Sequence, residues 1–360
     1  MMQRLGDYIR PVDVRNRDLK VERLMGINIE KKFMPSVANV IGTDLSNYKV
    51  VSKNQFACNL MHVGRDEKIP VAIQNEDDPI IVSPAYVVFE VNDAKVLDPE
   101  YLMMWFSRSE FDRNAWFYTD GDVRGGMDRE ALFDMTIPVP DIREQRNIVA
   151  EYKTLQTRID TNKRLIATLE QTAQTLYRHT FVDNIDPNNL PQGWRMGTLG
   201  EVCSFKYGKL PDKHLKSDEY PYPVFSGYAV TGYADEYILE NSEIVVIARG
   251  DAGSGKVCMS PPKCFLSNLA IAAIANDEQI KYYLYYHLLN SDTMSLRSGT
   301  AQAQITINNL EPFEIVIPPK ELCVDFGEKV QTILNCVENY NRQNQTLTQM
   351  QTLLLSKMGA

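Results

Sequence analysis

The sequence has little of what catalysis or export requires. It holds six cysteines (Cys58, Cys203, Cys258, Cys264, Cys323 and Cys336), and no two stand as a CxxC pair. That spacing argues against a zinc site or a disulfide framework and fits a reducing cytoplasm. The four histidines, His62, His179, His214 and His287, are scattered without metal-ligand spacing and read as ordinary surface or half-buried side chains. No apolar run approaches a membrane span, and residues 1–7 carry no apolar signal core. No paired carboxylates and no nucleophile–base set stand out. Amino-directed DNA methylation needs Asn or Asp before two prolines and an aromatic after them. The two Pro-Pro pairs instead lie between Ser260 and Lys263 and between Ile317 and Lys320. The chain offers no active site.

One motif comes close. Gly250-Asp251-Ala252-Gly253-Ser254-Gly255-Lys256-Val257 nearly spells a phosphate-binding loop. Valine follows the lysine, so no hydroxyl reaches a magnesium ion. Pro261 and Pro262 lie soon after, so no helix N-terminus stands behind the loop. Two readings survive: a loop that presents Arg249 and Lys256 to a phosphate backbone, and a plain glycine-rich connection with solvated charges.

Glycine and proline are also missing from residues 142–181, and there the absence is constructive. Ile148, Tyr152, Leu155, Ile159, Asn162, Ile166, Leu169, Ala173 and Leu176 recur in steps of four and three. This is the apolar seam of a coiled coil, and it predicts one helix of about forty residues, roughly 60 Å long. Such a helix needs a partner. Adding 178 to each position gives Phe326, Val330, Ile333, Val337, Tyr340, Asn344, Leu347, Gln351 and Leu354, a second seam in the same phase. The repeat continues upstream: Gly121 matches Gly299, Met127 Ile305, Leu132 Leu310, Ile137 Ile315 and Pro140 Pro318. Leu5-Gly6-Asp7 is echoed by Leu199-Gly200-Glu201, but at a step of 194, so the first module is about sixteen residues longer. The chain is a tandem duplication: module 1–140, helix 141–182, module 183–318, helix 319–360.

Within the first module, 48–51, 55–61, 80–83 and 86–91 read as strands, with 62–66 as a turn. Asp98 caps a helix that begins at Pro99. Residues 120–126 read as a polar loop, 128–132 as a short helix and 135–140 as an edge strand. In the second module, 243–248 and 271–275 read as strands. Residues 281–286 are the counterpart of the helix around Trp105. Tyr282, Tyr283, Tyr285 and Tyr286 fall at a helical spacing that makes part of the cluster core. The net charge of −9 argues weakly against a nucleic-acid partner, although residues 4–53 hold ten Lys and Arg against six Asp and Glu.

Several stretches resemble the specificity subunits of type I restriction–modification systems. They are Leu190-Pro191-Gln192-Gly193-Trp194 before Leu199-Gly200-Glu201-Val202, Arg249-Gly250-Asp251-Ala252-Gly253, and Ser298-Gly299-Thr300-Ala301-Gln302 with Ile305. Ile137-Pro138-Val139-Pro140 with Glu144-Gln145, and its echo Ile315-Val316-Ile317-Pro318, complete the set. The resemblance spans essentially the whole chain. It departs where Leu322-Cys323 replaces Glu144-Gln145 and where Arg124-Gly125-Gly126 faces Ala301-Gln302-Ala303.

The resemblance implies an α+β chain of two globular target-recognition domains separated by two long antiparallel helices. Each domain would read one half of a split, asymmetric double-stranded DNA site. The helices would dock modification subunits, two of them, which carry S-adenosylmethionine. Restriction subunits using ATP and magnesium could join. This chain would hold no cofactor and no metal, perform no catalysis and meet no membrane. Loop residues placed to meet DNA are His62, Arg65 and Arg124 in the first module and Lys209, Arg249 and Lys256 in the second. A coiled-coil adaptor that binds proteins and no DNA is the competing reading. It explains the helices and the charge, but not two diverged modules in matching frames.

If the helices act as a ruler, a four-residue insertion in the first one adds about one turn and roughly 6 Å of rise. Methylation-site mapping with the lengthened chain in its complex should then show unchanged half-sites and a spacer longer by about two base pairs. An unchanged spacer in an active complex would contradict the ruler.

Overall fold

The computed structural model describes residues 2–36, 42–61, 63–119, 126–183, 185–210, 219–250, 253–298 and 304–359. The stretch free of glycine and proline is one helix, Ile142–Phe181, of 40 residues. The second seam is Lys320–Lys357, of 38 residues. Every predicted seam position is buried or half-buried, as a stripe repeating in steps of three and four demands. No helix among the described residues is long and apolar enough to cross a membrane.

The chain divides into two compact units, Met1–Asn162 with Arg342–Ala360, and Lys163–Asn341. Each holds one module and half of each long helix.

In the first unit the helix halves run antiparallel and meet through polar pairs. Asn162 is fully buried, and its Nδ2 donates to Asn344 Oδ1 at 3.0 Å. Gln351 Nε2 donates to Gln156 Oε1 at 3.1 Å. Asn162 Oδ1 has no partner among the described residues. An unmet buried acceptor costs about 1–3 kcal/mol, a penalty that any slipped register would multiply. Leu354 and Leu355, from the end of the second helix, and Met358 just beyond it pack on the module core with Ile148, Val149 and Tyr152.

In the second unit the helix halves meet through rings. Phe326 lies 5.2 Å from Phe181 and 6.2 Å from Tyr177, and Phe181 lies 4.8 Å from Tyr283. Tyr283 and Tyr286 are core, while Tyr282 and Tyr285 stay half-buried.

The modules share one plan. The first has a four-stranded antiparallel sheet in the order Ile9–Pro11, Val87–Val91, Gln55–Cys58, Val71–Ile73. The second has Cys203–Tyr207, Ala270–Ala275, Ile244–Ile247, Val257–Met259 in the same order. A two-stranded ribbon closes each: Met2–Arg4 with Thr136–Pro138, and Arg195–Thr198 with Glu314–Ile317. Asp98 caps Pro99–Phe106 by accepting from Glu100 N at 2.9 Å, and Lys281–Leu289 is that helix's counterpart. A tyrosine in each helix tethers the ribbon: Tyr101 Oη donates to the Pro138 carbonyl at 3.3 Å, and Tyr283 Oη to the Val316 carbonyl.

The length difference now has an address. Ile9 pairs with Val91 and Cys203 with Ala275, so these strands lie 82 residues apart in the first copy and 72 in the second. Ten of the sixteen extra residues fall there. Residues 62–66 hold a short helix, Val63–Asp66, rather than only a turn, with His62 outside the described residues.

His287 sits half-buried against the aromatic cluster, its Nδ1 3.1 Å from Tyr177 Oη and its ring 5.6 Å from Tyr283. Burial pushes its pKa down from 6.5 to about 4. The unfolded chain therefore binds a proton that the folded one refuses. The contribution to stability is complete above about pH 6.5 and is lost as pH falls toward 4, with about 2 kcal/mol gone at pH 5. Denaturant unfolding at pH 7 and 5 should show this loss, and His287→Gln should remove it. A pH slope that survives the substitution would assign it to other groups.

Candidate nucleic-acid interface

In the second unit, three sheet strands bring their connecting loops to one end. Tyr207 pairs with Ile271 and Ile247 with Ala270, so the chain beyond Tyr207, the chain beyond Ile247 and the chain before Ala270 emerge together. Backbone bonds knit them. Lys209 N donates to Leu266 O at 2.9 Å, and Arg249 N to Leu269 O at 3.2 Å. Gly208 permits this closeness, since a Cβ there would lie 1.9 Å from the Ser267 carbonyl oxygen.

The glycine-rich loop is strapped in place. Gly255 holds φ +93, and a Cβ there would meet Met294 Cγ at 2.8 Å. Thr293 Oγ1 donates to the Gly255 carbonyl, and Arg297 Nη2 donates to the Ser254 carbonyl at 2.7 Å. The loop leads into the strand Val257–Met259, not a helix. It therefore lacks the aligned amides of a nucleotide site.

This end of the sheet gathers cations that meet no counter-charge among the described residues. Lys209, Arg249 and Lys256 are exposed, and Arg297 is half-buried. None of the four meets a carboxylate among the described residues. Arg249 Nε donates to Gln304 Oε1 at 2.9 Å, and Lys256 Nζ lies 5.2 Å from the centre of the Tyr228 ring. Elsewhere in the unit, Arg195 sits on Glu201, Lys320 on Asp277, Lys329 on Asp325 and Lys281 on Glu243 and Glu278. An acidic chain can thus present a locally positive surface. Exposed apolar groups lie among these cations: Tyr207, Leu210, Tyr228 and Leu269. Exposed apolar side chains beside cations suit an interaction face.

The first unit repeats the frame. Met127 N donates to Leu60 O at 2.9 Å, as Ile305 N donates to Ala248 O at 2.9 Å. Residues 59–70 therefore take the place of 248–256. Arg65 lies in that connection, within Val63–Asp66. His62 and Arg124 lie outside the described residues. Behind the connection, Asp112 Oδ1 accepts from Lys31 Nζ at 2.7 Å and from Ile69 N at 3.1 Å.

Two clefts also recur. In the first unit, Met103, Ser107, Tyr152, Gln156 and Asp160 help to line about 510 Å³. In the second, Tyr282, Tyr285, Leu334 and Glu338 help to line about 600 Å³. Gln156 and Leu334 are repeat equivalents, as are Asp160 and Glu338.

Residues 191–349 match the family model described as type I restriction modification DNA specificity domain. The chain is 23% identical to the HindI specificity subunit of Haemophilus influenzae, over 98% of this chain and 97% of that one. It is 21% identical to the MjaIX specificity subunit of Methanocaldococcus jannaschii, over 72% of this chain and 68% of that one. Its fold is shared with the S subunit of a type I restriction–modification system from M. genitalium. The TM-score there is 0.65 at 16% identity, over 99% of this chain and 95% of that one.

The chain is thus similar over nearly its whole length to type I restriction–modification specificity subunits, and residues 191–349 match their DNA specificity domain.

Sequence reading named Lys209, Arg249 and Lys256 as candidates but missed the groups around them. Arg297 escaped notice because only the fold carries it to the Ser254 carbonyl. The hairpin Tyr222–Ser226 with Ala229–Ala234 was also unread. Ser226-Gly227 between alternating apolar residues was the available signal. Trp116, Phe117 and Tyr118, exposed by 49%, 82% and 53%, end the unread helix Ser109–Phe117.

Proposed function

We propose that this specificity subunit reads a bipartite, asymmetric site on double-stranded DNA, with each module, 1–140 and 183–318, taking one half. The observation that carries this is one repeated sheet frame bearing two different sets of strand-end loops, with cations on the second that meet no carboxylate among the described residues. Two dissimilar half-sites need two dissimilar readers on one scaffold. The net charge of −9 is compatible, because only the local field at the loops meets phosphate.

The helices 141–182 and 319–360 dock modification subunits. Two copies are supported by the recurrence of the clefts at repeat-equivalent positions. Those subunits bring S-adenosylmethionine and methyl transfer. Restriction subunits with ATP and magnesium join where the system has them, and the complex works in the cytoplasm. The specificity subunit supplies positioning and no catalysis. A purely protein-binding adaptor leaves the positive strand-end surface unexplained.

Purified alone with DNA and S-adenosylmethionine, the chain is expected to transfer no methyl group. With its modification subunits it methylates a split site. In that complex, Arg249→Ala and Lys256→Ala distinguish two kinds of contact. Loss of a phosphate contact weakens binding to all sequences and flattens its salt dependence by about one charge each. Loss of a base contact relaxes only the second half-site, by about 1–3 kcal/mol per bidentate pair. Unchanged DNA affinity in both variants would remove this loop from the interface.

A further inference from the structure

The hairpin of the second unit turns through Gly227 and Tyr228, between the paired residues Ser226 and Ala229. Gly227 takes φ +67, the left-handed conformation that a tight two-residue turn needs at its first position. Val224, Phe225 and Ala234 of the hairpin are buried, whereas Tyr228 is 57% exposed. Its ring therefore adds little to the hairpin's own core.

The tip is anchored at the loop end of the sheet. Ser226 Oγ and Ser267 Oγ are 3.0 Å apart, and Ser267 N donates to Phe225 O at 3.0 Å. Ser267 also bridges to Lys209. One side of the Tyr228 ring lies along the glycine-rich loop, where a Cβ on Gly253 would come within 3.4 Å of Cε1 and 3.7 Å of Oη. Lys256 Nζ stands 5.2 Å from the ring centre, close enough for the ring's negative face to hold the ammonium. The rest of the ring faces solvent at the end of the sheet that also carries Lys209 and Arg249. An open aromatic surface with Lys256 at its face, on an end of the sheet whose cations meet no carboxylate among the described residues, suits a polyanion whose interior presents flat, apolar and methyl-bearing groups. Duplex DNA has that chemistry.

We propose that Tyr228 is a specificity-determining residue of the second module, touching base pairs of its half-site while holding Lys256 toward a phosphate. This rests on the DNA-reading function above. It adds a hairpin-tip base contact and a coupling between two side chains.

The test uses the complex of the full chain with its modification subunits, comparing Tyr228→Ala, Tyr228→Phe, Lys256→Ala and the double alanine variant. Methylated sites are mapped by sequencing, and binding to the wild-type site is followed across salt. Tyr228→Ala should lower discrimination at one or two adjacent base pairs of the second half-site by about 5- to 150-fold. The first half-site should stay intact, and Tyr228→Phe should keep both. Tyr228→Ala and Lys256→Ala should each flatten the salt slope by about one. The double variant should flatten it no further. Unchanged site preference with Tyr228→Ala, or uniform loss at every base pair of both half-sites, would overturn the proposal. Failure of the wild-type complex to methylate a split site would instead strike the DNA-reading function itself.

Discussion

A forty-residue amphipathic helix cannot leave its apolar stripe in water, and the rest of this chain follows from how that stripe is covered. The duplication supplies a second helix with its seam in the same phase. In each compact unit the start of one helix lies against the end of the other. The partner is therefore built in, and each module core is completed by both helices. The two halves solve the contact differently. The first unit uses Asn162 with Asn344 and Gln156 with Gln351, polar pairs that give up stability for register. The second uses Phe181, Tyr283 and Phe326, where area and ring geometry hold the helices.

Duplication also explains what was free to diverge. The sheet order, the closing ribbon, the tyrosine tether and the helix-phase seam recur because each is a packing constraint. Changing one copy would open a core. The strand-end connections carry no such burden. In one unit the connection is 59–70 with a short helix, and in the other it is a glycine-rich loop strapped by Thr293 and Arg297. Divergence confined to surface loops on a retained frame is how one scaffold acquires two recognitions.

The helices, their seam and the 178-residue step were legible because long-period apolar patterning survives in sequence. So were the Asp98 cap and the strands 55–58, 87–91 and 244–247. The three-residue strands Met2–Arg4, Ile9–Pro11 and Val71–Ile73 were not, since three residues cannot display a period. The candidate surface was half legible. Arg249 and Lys256 flank the glycine-rich loop that the sequence shows, and Lys209 lies at the same end of the sheet. That they meet no carboxylate among the described residues depends on which acids the fold brings near, and no local pattern records that. Tyr228 was hidden for the same reason, as its neighbour Lys256 is 28 positions away.

The central claim is that one chain pairs its own two long helices in a fixed antiparallel register. The direct measurement replaces Asn162 and Asn344 with cysteine, in a background where the exposed Cys336 is serine, and treats the dilute protein with a short bifunctional thiol reagent. The account predicts a rapid cross-link within single chains, joining the peptides that contain positions 162 and 344. A cross-link formed only between chains, or none while both thiols react singly, would contradict it.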